Sequence, residues 1–393
     1  MRPGQGEEEL QCTIKEAVLT DNPSYEAISY CWGEDHAVDR VVCDSNTYLS
    51  LNKSLSSALR HFRHRDEPRV LWADAICINQ LDADDKSRQV SLMRDIFRQA
   101  RRVLVWLGEE EDDEGEAIDL LIQLGQRLAT ASAAGTLPQD RMARQKHVGF
   151  EDAHLLALSA FLERLWFRRI WVVQEVAVAH EAMLYCGQKS LTWEALCAII
   201  TLENGINMVG ANNQMVLDIV EGIQFEKKAA KENAPTTLLQ TLLRHRASLA
   251  TDSRDKVYAL LGLCTDDVVE ANYRLQAEEV HTLLTREYLC QHNSLDIITA
   301  PSSPIIPRQT NSHTPSWVPD WSATDVAFPL ALRTQLVPEV EYLATRDSKW
   351  TPHFSEAGDM LRVEALFLDE VTILGVVRRP YRPDKPCVKA LAK

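Results

Sequence analysis

The chain has 393 residues, 45% hydrophobic and 25% charged, a balance that supports a sizeable core and room for more than one domain. Its formal net charge of −15, from 42 basic and 57 acidic residues, argues against general nucleic-acid binding, which calls for a basic face. Nine cysteines fall without a CxxC pair or a His/Cys cluster of zinc spacing, so neither a metal site nor a disulfide framework is expected.

Residues 1–24 read as a tail followed by a loose edge strand. The start is acidic and lacks an apolar signal segment, and no stretch reaches about 18 uncharged apolar residues. With the cysteine pattern, this gives the expectation of a cytoplasmic protein with no membrane span. After the Asn22-Pro23-Ser24 turn, residues 25–32 read as a strand rich in aromatic and β-branched types, broken by Gly33. Strand-like pieces at 40–43 and 47–49 flank Asp44-Ser45-Asn46 and read as a hairpin. Asn52 is placed to cap a helix over 53–64, with Leu55, Leu59 and Phe62 on one side.

The apolar run 70–73 then reads as a buried strand that delivers Asp74, Asn79 and Gln80 at its C-terminal end. A helix over 84–100 follows, with Val90, Met93, Ile96 and Phe97 at helical spacing, and a strand over 102–107 stops at Gly108. Strand–helix–strand–helix–strand is the order of parallel α/β units. The acidic run 109–116 reads as a solvated loop and helix start. Residues 118–133 are helical, and 135–149 is the expected insertion without regular structure. A helix begins at Asp152, a short strand covers 183–186 and a helix covers 193–202. Further helices over 215–228, 238–246, 254–261 and 277–290 make 191–300 a helical extension. Residues 301–322 are a Pro/Ser-rich loop, with Trp317-Val-Pro-Asp-Trp321 expected to pack on the surface. Residues 323–393 read as a small C-terminal α/β or β elaboration, with strands at 360–366 and 367–377.

There is no phosphate-binding GxxxxGK, no GxGxxG, no HExxH and no GxSxG. Four polar groups stand out instead. Ser29 sits beside Tyr30 and Trp32 at the end of a strand, suited either to a ligand cleft or to a buried hydroxyl bonded to backbone. Asp74 either holds a ligand or pairs with an arginine or a helix N-terminus, since a buried aspartate needs a partner. Asn79 and Gln80, with Arg88, either support an anion or stay structural, Arg88 pairing with a neighbouring acid. Trp171 and Glu175 are i,i+4 on one helix. An indole beside a carboxylate suits a pocket that stacks a ring and stabilises developing positive charge, as when an N-glycosidic bond breaks. The alternative is an ion pair from Glu175 to Arg168 or Arg169.

Tyr25-Glu-Ala-Ile-Ser-Tyr-Cys-Trp-Gly33 resembles the opening motif of the fungal heterokaryon incompatibility (HET) domain. Leu71-Trp-Ala-Asp-Ala-Ile-Cys-Ile-Asn-Gln80 resembles that family's most recognisable motif. Gln89 to Met93, Ala100 to Gly108 and Arg169-Ile-Trp-Val-Val-Gln-Glu175 follow in the family's order. Asp252-Ser-Arg-Asp-Lys-Val-Tyr-Ala-Leu-Leu-Gly-Leu263 resembles a motif found downstream in larger members. Cys31 and Ala73 depart from the pattern, both in core-compatible ways.

The resemblance implies a HET domain over 25–190 and a role in non-self recognition and programmed cell death. HET domains are in turn similar to TIR domains. That likeness implies a flavodoxin-like parallel α/β sheet flanked by helices, and NAD as a candidate substrate. On this analogy Glu175 and Asp74 are the catalytic candidates. Ser29, Tyr30, Trp32, Asn79, Gln80, Arg88 and Trp171 are the binding candidates, with no metal and no certain cofactor. Two alternatives stay open: a self-associating signalling module, as a homo-oligomer or with an incompatibility partner, and a metabolic enzyme that reuses the fold.

Overall fold

β1 (Leu10–Gln11), β2 (Glu26–Tyr30), β3 (Asp39–Val42) and β4 (Tyr48–Leu51) lead to α1 (Lys53–Phe62). β5 (Leu71–Trp72) runs into a one-turn helix, α2 (Asp74–Cys77), and then into α3 (Ala83–Gln99) and β6 (Val103–Trp106). α4 (Glu114–Ala133), α5 (Arg141–Val148) and α6 (Asp152–Leu162) precede a 3-10 turn at Leu165–Arg168 and the short α7 (Trp171–Ala177). β7 (Ala182–Cys186) and β8 (Lys189–Thr192) form a hairpin. α8 (Trp193–Glu203), α9 (Ala211–Glu232), α10 (Leu238–Arg244), α11 (Asp255–Leu261) and α12 (Ala277–His292) make the helical extension. This computed structural model describes residues 1–33, 38–43, 47–110, 114–203, 211–234, 236–266, 268–292, 294–300, 314–323 and 351–363.

The architecture is mixed α/β. The five-stranded sheet has the order β5-β2-β6-β7-β8, with the first four strands parallel and β8 antiparallel to β7. Every residue of β2 and of β6 is buried, as in strands covered on both faces. The chain passes from β2 to β5 on one side and then to β6 on the other, so the order of winding reverses at β2. In open α/β sheets the crevice outside the carboxyl ends of the strands at such a reversal is where ligands bind.

Between β2 and β5 the chain makes a small second sheet, with β1 parallel to β3 and β3 antiparallel to β4. Val41, Leu51, Leu55, Leu59 and Phe62 from this excursion pack on Ile28, Tyr30, Leu104 and Trp106 of the main sheet. α1 starts where Asn52 places it, the Asn52 side-chain oxygen Oδ1 accepting from the Leu55 N–H at 2.8 Å. On the helical side, α3 packs on α7, and α7 packs on α9 and α11.

Several expectations need correction. The central strand is shorter than its apolar run: Val70 is exposed, β5 is two residues long, and Asp74 opens a helical turn. The first edge strand is likewise only Leu10–Gln11. Residues 135–149 contain α5, because the Asp140 side chain accepts from the Ala143 N–H at 2.8 Å and Gly149 ends the helix at φ 66°. The Trp317–Trp321 island is not on the surface: Val318 and Trp321 are buried, and the Arg246 guanidinium lies 4.6 Å from the Trp321 ring centroid.

Residues Pro352–Lys393 form a separate unit, whose described part is an antiparallel pair of β9 (His353–Phe354) and β10 (Leu361–Arg362). The strand expected at 367–377, the turn Asp44-Ser45-Asn46 and residues 301–313 lie outside the described residues.

Candidate functional site

Past its last strand residue, β2 continues through Cys31 and Trp32 to Gly33, whose φ of 68° turns the backbone. Asp74 follows the end of the neighbouring β5. Between these ends and the N-terminus of α7 lies a cavity of about 1070 Å³. That is at the upper end of the roughly 300–1,000 Å³ typical of small-molecule and cofactor sites. Trp32, Asp74, Gln80, Lys86, Arg169 and Trp171 are among its lining residues. A further part of the lining comes from the helical extension, residues 249–255 together with Tyr273 and residues 276–278.

Asp74 is held by donors: the Trp32 indole N–H at 2.9 Å and the Ala75 backbone N–H at 2.8 Å. Burial pushes its carboxyl above the ordinary value, against the pull of the Arg169 charge and of these bonds. The Tyr30 hydroxyl is buried without a partner of ordinary hydrogen-bond geometry, yet close enough to Asp74 for each to act on the other's ionisation.

Glu175 sits one layer deeper. It is 3% exposed, and it accepts the hydroxyl hydrogen of Ser29. Ser29 in turn accepts the Trp166 indole N–H at 2.8 Å. Burial raises the Glu175 carboxyl to about 7, opposed by the Arg169 charge and the Ser29 bond, with the Asp74 charge adding to the rise. Arg169 donates to the Tyr30 carbonyl, and its charge acts on both carboxylates. Two acids with raised pKa values therefore flank one guanidinium at the end of β2, a pattern associated with functional sites.

Trp171 leaves α7 on a different side. Its indole N–H donates to Asp255 at 3.0 Å, and the Tyr273 hydroxyl donates to the other Asp255 oxygen at 2.5 Å. Lys86 lies 4.0 Å from the centroid of the Tyr273 ring. Arg254 binds Asp252 at 2.7 Å and the carbonyls of Tyr273 and Leu275 at 2.6 and 2.8 Å, which fixes this part of the lining. It is also tied to the HET-like motif by backbone: the Ile170 N–H donates to the Leu249 carbonyl at 2.8 Å, and the Leu249 N–H to the Arg168 carbonyl at 2.5 Å.

Of the residues singled out from sequence, Trp32, Asp74, Gln80 and Trp171 line the cavity, while Ser29, Tyr30 and Glu175 lie behind it. Trp171 and Glu175 do not share one pocket. On α7 they address different partners, Asp255 and Ser29. Arg88 has a side chain 70% exposed and bonds Asp85 at 2.9 Å. Asn79 shapes the turn before α3, accepting from the Leu81 N–H at 3.2 Å. Neither lines the cavity. Sequence reasoning missed Lys86, Asp255 and Tyr273 as lining groups and saw Arg169 only as an ion-pair partner. The signal for Asp255 was present in the 252–263 motif.

Among the described residues no group of His, Cys, Asp and Glu side chains is arranged to hold a metal ion. No helix among them is long and apolar enough to cross a membrane.

Comparison with known proteins finds a family and a relative that the chain resembles. Residues 25–175 match the family described as Heterokaryon incompatibility protein (HET). The chain is 27% identical over 390 residues to a protein of Neurospora crassa described as "Heterokaryon incompatibility protein 6, OR allele". The match covers 80% of this chain and 56% of that relative, so the chain spans about half the relative's length. No solved structure matches. Residues 25–175, which carry Ser29, Asp74, Arg169 and Glu175, are thus the part of the chain that is similar to the heterokaryon incompatibility family.

Proposed function

We propose that the chain is an effector of fungal non-self recognition and programmed cell death that binds a nucleotide in the cleft at the end of β2 and cleaves the N-glycosidic bond of NAD. The observation that carries this reading is the grouping of Asp74 and Arg169 on a large cleft, with Glu175 behind them, in a cavity that also presents two indoles, Trp32 and Trp171. The strand order, read by chain position as 2-1-3-4-5, supports the flavodoxin-like and TIR-like comparison, with an antiparallel last strand as the departure.

The chemistry asks little of the protein in proton transfer. Nicotinamide leaves a cationic ribosyl-nicotinamide as a neutral ring, taking the electron pair of the breaking C–N bond. Positive charge then grows on the ribose ring, and a carboxylate beside it stabilises that charge. Water supplies the oxygen that bonds the anomeric carbon, and its proton passes to a carboxylate and on to solvent. Asp74, on the cavity surface, faces the ribose in this reading. Glu175 sits behind it, exchanges charge influence with it through Arg169, and takes the proton. Trp32 and Trp171 offer ring faces to the bases.

Nicotinamide release from NAD by the purified chain tests the chemistry. The expected outcome is measurable release, reduced about 100-fold in Asp74→Asn and Glu175→Gln. No release from either monomeric or assembled protein overturns the enzymatic reading. Cell killing by Glu175→Gln equal to that of the wild type assigns the death role to self-association instead.

A further inference from the structure

The family match ends at residue 175, yet the cleft does not. Part of its lining belongs to residues 249–255, Tyr273 and residues 276–278, and the Trp171 indole N–H is bonded there, by Asp255. An indole on an open cleft has two broad ring orientations about its outer side-chain torsion. A carboxylate acceptor on its N–H selects one. Asp255 does this at 3.0 Å, and Tyr273 fixes Asp255 at 2.5 Å from the other oxygen. Tyr273 is itself buried, and its backbone N–H is bonded by Ser87 of α3 at 2.9 Å. The same device recurs in this cavity, where Asp74 holds the Trp32 indole at 2.9 Å. Two indoles of residues 25–175 therefore line a single cavity, one anchored by a carboxylate of the same part of the chain and the other by a carboxylate of the helical extension.

We infer that Asp255 and Tyr273 are positioning residues that set the plane of Trp171 for ring stacking, so that the nucleotide site is completed by residues 249–255, Tyr273 and residues 276–278 and is not contained in residues 25–175. The ligand class this favours is one with a planar aromatic base at each end, a dinucleotide rather than a mononucleotide. The inference rests on the nucleotide reading above for the choice of probe.

The test uses the full chain and NAD, with KM and kcat from nicotinamide release and Kd from titration calorimetry. Asp255→Ala is expected to raise KM and Kd about tenfold, because one ring-bearing side chain must then be ordered on binding, while kcat stays within about twofold. Trp171→Phe keeps a ring and loses the N–H, and should match it. The double variant should be no worse than either single one, since both remove the same bond. Tyr273→Phe leaves Asp255 in place and should give a smaller rise; it also serves if Asp255→Ala does not fold. Nicotinamide mononucleotide should bind less tightly than NAD, and its binding should be insensitive to one of the two indole substitutions, Trp32→Ala or Trp171→Ala. Unchanged KM and Kd in Asp255→Ala, or effects that multiply in the double variant, overturn the inference while the proposed function stands. Binding without release overturns the catalytic reading alone. A wild-type chain that neither binds nor cleaves NAD overturns both.

Discussion

Ser29, near the end of β2, gives its hydroxyl hydrogen to Glu175 of α7, 146 residues further along the chain. The same oxygen accepts the Trp166 indole N–H, so one buried hydroxyl joins the sheet, the turn before α7 and α7 itself. A partly satisfied polar chain in a buried place is costly to disturb. It also leaves a carboxyl poised near neutrality behind the cleft.

That poise has a sign. Glu175 is raised to about 7 in the folded chain from an ordinary 4.5, so between these values the folded state holds a proton that the unfolded state has released. Stability therefore falls as pH rises from about 4.5 to 7 and levels off above, by ~3 kcal/mol for a shift of this size. Glu175→Gln removes the ionisable group and should flatten that part of the curve, leaving the variant more stable than the wild type at pH 8. Urea unfolding across this range measures it. Parallel curves for the two proteins would show that Glu175 ionises freely.

Ser29→Ala should act in two ways at once. It leaves the Trp166 N–H and the Glu175 carboxyl without their shared partner, at about 1–3 kcal/mol. The lost bond favours the ionised form, so its removal also moves the Glu175 titration to higher pH. Unfolding curves of Ser29→Ala should show both a lower plateau and an alkaline shift of the sloping region. A lower plateau with no shift would mean that Ser29 is a packing group only.

Much of the sheet was legible because its strands are short apolar runs between clear breakers. β6 is apolar on both faces, β2 carries Ile28 and Tyr30 ahead of the break at Gly33, and α3 carries Val90, Met93, Ile96 and Phe97 at helical spacing, all four buried. The insertion at 135–149 was not, because its single Pro and mixed charges outweighed the two signals that decide it, Asp140 and Gly149. The extension's share of the cleft was illegible for a different reason. Trp171 and Asp255 are 84 residues apart, and nothing in local periodicity pairs an indole on one short helix with the first residue of another. Arg169 shows the same limit. Its charge acts on Glu175, as an ion-pair reading suggests, but its N–H goes to the Tyr30 carbonyl, which only the sheet end brings near.

Glu26 gives a prediction at the opposite end of β2. It is buried, with Arg69 bonded at 2.6 Å and Arg101 at 3.4 Å. Burial works to raise its pKa, and the two arginines outweigh burial, so the net direction is down. Its contribution is present above the ordinary glutamate range and is lost as pH falls through the lowered value. Arg69→Ala leaves the buried carboxylate with the longer Arg101 contact alone and should cost up to about 3–5 kcal/mol at pH 7. The deficit should shrink as the medium becomes acidic enough to protonate Glu26 in both proteins. A deficit independent of pH would assign the loss to the Arg69 bond to the Phe62 carbonyl instead.

The last prediction concerns how the extension is held to the cleft. Gly262, just past α11, has an ordinary φ, so its backbone alone would accept another residue. A Cβ there, however, would lie 2.8 Å from the Cβ of Arg94 on α3 and 2.7 Å from the Gln174 side-chain amide on α7. The Arg94 Cβ belongs to the helix stem and cannot swing away, so α11 must move off both helices. Gly262→Ala should cost about 1–3 kcal/mol by overpacking. Because α11 starts at Asp255, the displacement should also loosen the Asp255–Trp171 bond. The expected signature is a lower melting temperature, faster proteolysis after residue 246 and weaker NAD binding, all in one variant. Gly262→Ala with wild-type melting and wild-type proteolysis would mean that α11 is not clamped between α3 and α7, and the extension's share of the cleft would lose its anchor.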